Sequence, residues 1–261
     1  MPGPPSPSEL QSLAEEAART AGELLVARFA GERRGVRAKS SPTDLVSEAD
    51  LASERAIRDL IAARRPDDGL VAEEGADRPG TSGLRWVVDP LDATVNFLFG
   101  IPHWCVSVAC EDDRGAIAGV VHDPLRDETF AATRDGASTL NGEPIEASGR
   151  TELATAMVAT GFGYEAERRR GQAEVVARVL PRVRDIRRAG SAALDLAWTA
   201  CGRLDAYYEC GVEHWDRAAG ALICERVGLD VSELERDGDL PAGVLVAPPP
   251  LIAPLRALIV G

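Results

Sequence analysis

Apolar residues recur every three or four positions between Ser8 and Phe29. Leu10, Leu13, Ala14, Ala17, Ala21, Leu24 and Leu25 share one face and predict an amphipathic helix, with Ser8 and Gln11 spaced as a capping box. A second helical pattern, Ala52, Ala56, Ile57, Leu60 and Ile61, follows Asp50 and stops near Pro66. The period then shortens. Apolar runs at 69–72, 85–88, 104–110, 116–122 and 128–133 predict strands, with turns at Asp113-Arg-Gly115 and Asn141-Gly142. From about Ala154 strands and helices alternate, with strands expected at 157–160, 183–187, 203–208 and 244–247. The helices between and after them are expected at 165–180, 192–201, 214–227 and 251–260. The charged segment from Gly228 to Pro241 receives no chemistry. These patterns divide the chain into a disordered lead (1–8), an antiparallel-rich half (9–150) and an α/β half (151–261).

Several of the runs end in acids. Trp86-Val-Val runs into Asp89, and Pro90 is expected to stop the strand there. Asp89, Asp92 and the Leu91 carbonyl place three hard oxygen donors in four residues, a set that suits Mg²⁺. Glu73 and Glu74 end the run Leu70-Val71-Ala72, Asp44 and Asp50 bracket the approach to the second helix, and Asp216 opens another helical segment. N-capping, worth about 0.5–2 kcal/mol, accounts for Asp50 taken alone, since Ser47-x-x-Asp50 has capping-box spacing with the shorter acid. It does not account for paired glutamates at a strand end together with an Asp-Pro-x-Asp turn.

Four separated motifs, in order, resemble the inositol monophosphatase family of Mg²⁺-dependent, lithium-sensitive phosphatases. They are Lys39-Ser-Ser-Pro-Thr-Asp44-Leu-Val-Ser-Glu-Ala-Asp50, Glu73-Glu74, Trp86-x-x-Asp89-Pro-Leu-Asp92-Ala-Thr94-x-Asn96-Phe97, and Trp215-Asp216-x-Ala-Ala-Gly220. A fifth segment, Gly190–Asp195 through Leu204–Glu209, matches the region that shapes the family's substrate pocket. The resemblance implies an α/β fold of layered α-β-α-β-α type, with the site in the cleft between the halves. It implies two to three Mg²⁺ per site: Glu73, Asp89 and the Leu91 carbonyl at the first, Asp89, Asp92 and Asp216 at the second. Glu73 would also touch a third, weaker metal, with Glu74 behind it and Lys39 and Asp44 in a nearby loop. Thr94 and Asp50 match the pair that orients the attacking water, so Thr94, Asp50 and Glu73 are the implied catalytic residues. Asp92, Ala93, Thr94, Ser191, Ala192 and Glu209 match substrate contacts. A homodimer is implied as well.

The implied reaction is hydrolysis of a small phosphate monoester, with myo-inositol monophosphate preferred. Histidinol phosphate, fructose 1,6-bisphosphate and nucleotide 3′-phosphates are alternatives that share the metal core. The physical logic is that a phosphate dianion repels hydroxide, which two metals about 3.5–4 Å apart overcome by clamping the attacking and leaving oxygens. Where the family usually has glycine, this chain has Ala93. A negative φ there makes the change mild and a positive φ makes it costly; retention of the ionic ligands leads us to expect tolerance. A binding protein with blunted catalysis and a protein partner is the non-enzymatic alternative, but it would not need this set of acids.

The formal charge of −13 argues against nucleic acid as a partner. Bound Mg²⁺ reconciles that charge with an anionic substrate. No stretch approaches the roughly 20 apolar residues of a membrane span, and the Pro- and Ser-rich start lacks a secretory pattern. Five cysteines, with Cys105 and Cys110 expected on opposite strand faces, read as reduced thiols in a cytoplasm. His103, His122 and His214 are dispersed and read as structural, and Asp123-Pro124 reads as a turn. Arg168-Arg-Arg170 is expected to be a solvated face. Of Tyr207 and Tyr208 one is expected in the core, and Asp195 is expected on a helix near the pocket.

Overall fold

The computed structural model describes residues 5–29, 37–38, 45–238 and 240–261. The chain begins with α1 (Pro7–Phe29), β1 (Arg37–Ala38), β2 (Leu45–Val46), α2 (Glu48–Arg64), β3 (Gly69–Ala72), β4 (Arg85–Asp92) and α3 (Thr94–Phe99). It continues through β5 (Cys105–Asp112), β6 (Gly115–Asp123), β7 (Glu128–Thr133), β8 (Thr139–Leu140), β9 (Glu143–Pro144), β10 (Met157–Thr160) and α4 (Ala166–Val179). Then come β11 (Asp185–Arg187), α5 (Ala192–Ala200), β12 (Ala206–Cys210), α6 (His214–Arg226), β13 (Asp230–Leu234), β14 (Gly243–Ala247) and α7 (Pro249–Val260).

Period-two alternation along buried strands builds the layers. Trp86 and Val88 of β4 point to one face, where they join Leu10, Leu25, Ile57 and Ile61 of α1 and α2. Val87 points to the other, against Leu194, Leu196, Ala219 and Ile223 of α5 and α6 and against Tyr207 and Val246 beyond them. Tyr208, one residue on, faces outward with Leu245 onto Val175, Val179, Leu251 and Leu255 of α4 and α7. The result is an α-β-α-β-α sandwich. Its larger sheet runs β3-β4-β5-β6-β7-β8-β9, antiparallel except for β3 and β4; its smaller runs β11-β10-β12-β14-β13. Gly119 brings the middle layer close: a Cβ there would lie 2.8 Å from Ala219 Cα, so α6 sits directly on β6.

The expectations differ from the structure in a few places. Pro90 does not end β4. The ladder to β5 shifts between Asp89 and Asp92 and resumes at Asp92, opposite Cys105, so the proline occupies an irregularity, where no ladder donor is required of it. The cap of α1 is Ser6 with Glu9, not Ser8 with Gln11: Ser6 N donates to Glu9 Oε2 at 2.7 Å and Glu9 N donates back to Ser6 Oγ at 3.3 Å. Of the expected lead, residues 1–4 lie outside the described residues, and Pro7 and Ser8 are already helical. Residues 203–205 belong to the turn after α5, where the Arg203 and Leu204 amides donate to the Trp198 carbonyl. Both tyrosines are buried rather than one.

Candidate active site

The end of β4, the loop after β3, the start of α6 and the end of β12 face one cavity of about 430 Å³. Glu73, Asp89, Leu91, Asp92, Ala93, Thr94, Ala192, Glu209 and Asp216 line it. Sequence-distant acids are thus walls of one space. Lys39 and Asp44 lie outside the described residues.

Each side chain is held by its own local chemistry. Asp89 Oδ1 accepts the Leu91 amide at 3.0 Å, which turns the chain after Pro90. Asp92 Oδ2 accepts from the Ser191 hydroxyl and, at 2.8 Å, from the Ala193 amide, so the start of α5 grips the end of β4. Asp216 forms a reciprocal capping box with Glu213, accepting its amide at 2.7 Å. The same helical turn is anchored to the large sheet. His214 Nε2 meets Glu111 Oε2 of β5 at 2.9 Å, and Glu111 is ion-paired with Arg85, four residues upstream of Asp89 on β4. Glu54 of α2 holds the loop after Glu73, accepting the amides of Glu74 and Gly75 at 2.8 and 3.2 Å.

Asp50 makes two sets of contacts, one to the helix start and one to Thr94. It completes a capping box with Ser47, whose amide and hydroxyl both donate to its Oδ2. Its Oδ1 accepts the Thr94 hydroxyl at 2.7 Å; the longer contact from that hydroxyl, 3.2 Å, is to the Leu91 carbonyl. Asp50 is fully buried behind Thr94 and lines no part of the cavity.

The acids repel one another. Burial first, then the charges of Glu73, Asp92 and Asp216, push the Asp89 carboxyl well above the usual carboxylate range. Burial and Asp92 do the same to Asp216. Asp92 is also raised, by burial, against the opposing hydrogen bonds from Ser191 and Ala193. Glu209 is pushed up to about 7 by burial, resisted by the Tyr207 hydroxyl, which donates to its Oε2 at 2.8 Å, and by Arg188. Clustered carboxylates and a carbonyl, all hard oxygens whose charges raise one another's proton affinity, fit a divalent cation such as Mg²⁺. Among the described residues, no three His, Cys, Asp or Glu side chains are already gathered at a single point; the acids line facing walls.

Ser191 is buried behind the wall, where its hydroxyl holds Asp92 and accepts the Leu194 amide as the cap of α5. Glu74 lies beside Glu73, in the loop that Glu54 fixes. Arg168 departs from the expected solvated face and lines the cavity, whereas Arg169 and Arg170 are surface residues. No histidine lines it. His103 stacks edge-on against Trp198, and His122 bonds Thr129; burial lowers both to about 4. Asp195 is buried, its Oδ1 without a hydrogen-bond partner. Residues the sequence left unremarked include Glu54 and Gly161, where a Cβ would collide with Glu209 Oε2 at 1.9 Å. An acid four residues from Asp50 on one buried helix face was the available sign of Glu54.

Ala93 has φ 73° and ψ 48°, the left-handed region, as the residue before α3. An L-residue there costs about 1–2 kcal/mol, part of which glycine returns as unfolded-chain entropy. Ala93→Gly is therefore expected to raise stability by about 0.5–1 kcal/mol and Tm by about 2 °C. Differential scanning calorimetry checks this; a fall in Tm would mean that the methyl's packing on the α1–α2 core outweighs the strain.

Acids held apart in a cleft invite a cation, and a cation so placed draws phosphate; in this five-layered fold that combination defines a phosphatase. The chain belongs to the inositol monophosphatase family, whose model matches residues 6–258. The inositol-1-monophosphatase SuhB of Mycobacterium tuberculosis is 44% identical over 243 residues, covering 86% of this chain and 84% of that protein. The Nus factor SuhB of Escherichia coli is 36% identical over 224 residues, covering 85% and 84%. Among solved structures, the extragenic suppressor protein suhB from Bartonella henselae superposes with a TM-score of 0.87 at 32% identity, covering 95% of this chain and 97% of that one.

Proposed function

We propose that this phosphatase hydrolyses a small polyol phosphate, with myo-inositol monophosphate the preferred substrate, in a Mg²⁺-dependent reaction. The observation that carries the reading is the Thr94–Asp50 hydrogen bond at the edge of the acid-walled cavity. Glu73, Asp89 and the Leu91 carbonyl would hold one Mg²⁺, Asp89, Asp92 and Asp216 a second, and Glu73 would share a weaker third. When bound, the metal supplies positive charge against the phosphate dianion and acidifies water. Because the Thr94 proton is directed to Asp50, the free lone pair of its oxygen can accept a hydrogen from a water in the cavity and so orient it. Backbone at Asp92, Ala93 and Thr94 faces the phosphoryl group. Glu209, with one oxygen on Tyr207, offers the other to a polyol hydroxyl beside Ala192. On this reading residues 9–150 supply most ligands and residues 151–261 supply Asp216 and the substrate wall.

Phosphate release tests this directly, using inositol 1-phosphate, histidinol phosphate, fructose 1,6-bisphosphate and a 3′-phosphonucleotide, with and without Mg²⁺. Metal-dependent release fastest from inositol 1-phosphate is expected. Release from no ester would sink the reading and favour the binding-protein alternative, to which the name of the E. coli relative gives some support. The clustered acids weigh against it, because carboxylates that repel one another in a buried cavity are costly to keep without a use.

A homodimer is part of the proposal. Phe99 and Ile101 are exposed at 64% and 46% beside α3, an apolar surface suited to a second copy. Light scattering that finds a monomer would remove it. No helix among the described residues is long and apolar enough to cross a membrane, and all five cysteines are free thiols, which supports the cytoplasmic assignment.

A further inference from the structure

The strands β10 and β12 run parallel and pair through Val158–Ala206, Ala159–Tyr207 and Thr160–Tyr208, and there their ladder ends. One residue further on, Gly161 and Glu209 both line the cavity, so the strands part where the substrate wall begins. The carboxylate of Glu209 occupies the parting. It lies against the bare backbone of Gly161, where any Cβ would collide with it. Past the last ladder pair, the two chains have no bond of their own to fix the width of that gap.

Gln172 of α4 supplies one. Its side chain is buried, its Oε1 accepts the Gly163 amide at 2.9 Å, and its Nε2 donates to the Cys210 carbonyl at 3.1 Å. A backbone amide can only donate and a carbonyl only accept, so these two partners fix which way the side-chain amide points. Accepting on one side and donating on the other, it does what a peptide group of an intervening strand would do. The ladder is thereby carried across the gap. Gln172 itself lines no part of the cavity. Arg168, one helical turn earlier on the same face of α4, covers the gap from the cavity side, packed over Gly163 and Gly211.

We propose that Gln172 is a positioning residue for the recognition of the polyol. By fastening the Gly161–Gly163 loop to the end of β12, it holds the Glu209 carboxylate where a substrate hydroxyl meets it. This rests on the reading of Glu209 as the polyol acceptor. Gln172 bonds to none of the acids on the opposite wall and not to Thr94, so the handling of phosphate and water is not its work. Plain packing of α4 is the competing role.

The test measures kcat and KM for inositol 1-phosphate and for phenyl phosphate, whose leaving group carries no polyol, in wild type and Gln172→Leu. KM for inositol 1-phosphate is expected to rise about tenfold with kcat held, while both constants for phenyl phosphate stay within about twofold. An equal loss on both esters overturns the proposal and leaves Gln172 as packing. So does an unchanged KM for inositol 1-phosphate. Gln172→Glu keeps the bond from Gly163 and loses only the donor to Cys210, so it reads the same split where the leucine variant does not fold. Gly161→Ala sets a methyl group against the Glu209 carboxylate and is expected to raise the same KM. Both changes displace one carboxylate, so the double variant is expected to lose less than the product of the two single losses; a full product overturns the proposal. Calorimetric binding, with Ca²⁺ in place of Mg²⁺, separates this role from the phosphatase reading. Inositol 1-phosphate is expected to bind Gln172→Leu about tenfold more weakly than wild type, with phenyl phosphate unaffected. That difference, found in a protein that hydrolyses neither ester, would uphold the role of Gln172 while the phosphatase reading fell. Equal affinities in wild type and variant would overturn it whatever the turnover.

Discussion

Asp89→Asn is expected to abolish metal-dependent phosphate release and at the same time to stabilise the metal-free protein above pH 7. Asp89 is common to both proposed metal sites, so its loss should lower kcat by about three orders of magnitude or more, about 4 kcal/mol of transition-state stabilisation. The fold should survive, because an amide oxygen can still accept the Leu91 amide that shapes the turn. The stability effect follows from linkage. The Asp89 carboxyl is raised by burial and by Glu73, Asp92 and Asp216, so the folded protein binds its proton more tightly than the unfolded chain does. Stability from that group is therefore full below its unfolded pKa and is lost as pH rises through the folded value. Asp216, raised in the same way, adds to the loss. Wild type without metal should melt progressively lower from pH 5 to pH 8, and the Asp89→Asn protein should melt higher than wild type at the top of that range. Mg²⁺ should reverse the wild-type loss by binding the ionised form, while having little effect on the variant. Thermal melts across pH, with and without Mg²⁺, report all of this. Turnover in the variant within about tenfold of wild type would show that Asp89 is not a shared ligand.

The elements legible in the sequence were those whose burial imposes a period. The runs of β4 to β7 are apolar on both faces because helices cover one and α5 and α6 the other, so they read as strands without ambiguity. β13 was missed because its burial is partial and its sequence, Asp-Val-Ser-Glu-Leu, is half polar. Pro90 misled for a definite reason. A proline was taken to end the ladder, yet a ladder already displaced between Asp89 and Asp92 has no bond there for it to break. The acids announced themselves by standing at the ends of apolar runs, where charge is out of place. Arg168 did not, since a triple arginine opening a helix looks solvated; only Gly163 and the sequence-distant Gly211, whose missing Cβ atoms leave room for its side chain, let it turn toward the cavity. Ser191 carries a similar lesson. Its motif suggested substrate, and its hydroxyl is spent on Asp92 and on the cap of α5.

Asp50→Asn should be nearly as damaging to turnover as Asp89→Asn while leaving Mg²⁺ binding in place. The reason is the polarity of a single hydrogen bond. Asp50 Oδ2 accepts two donors from Ser47, its amide and its hydroxyl, and Oδ1 accepts the Thr94 hydroxyl at 2.7 Å. An introduced amide has one oxygen and one NH₂ group. The oxygen must face Ser47, because turning the NH₂ there would set donor against the backbone amide, with a cost of about 1–3 kcal/mol for the stranded group. The NH₂ then points at Thr94 and donates to it. Thr94 loses the acceptor that held its proton away from the cavity, so its hydroxyl is free to turn and meet the water as a donor rather than as an acceptor. Shape and burial are preserved, so the melting temperature should move little, whereas kcat should fall about 10²–10⁴-fold with KM unchanged. Thr94→Val should match that loss, since valine keeps the shape and deletes the acceptor, and Thr94→Ser should restore most of the rate. Asp50→Asn retaining more than about a tenth of wild-type kcat would refute the orienting role and leave Asp50 as a helix cap alone.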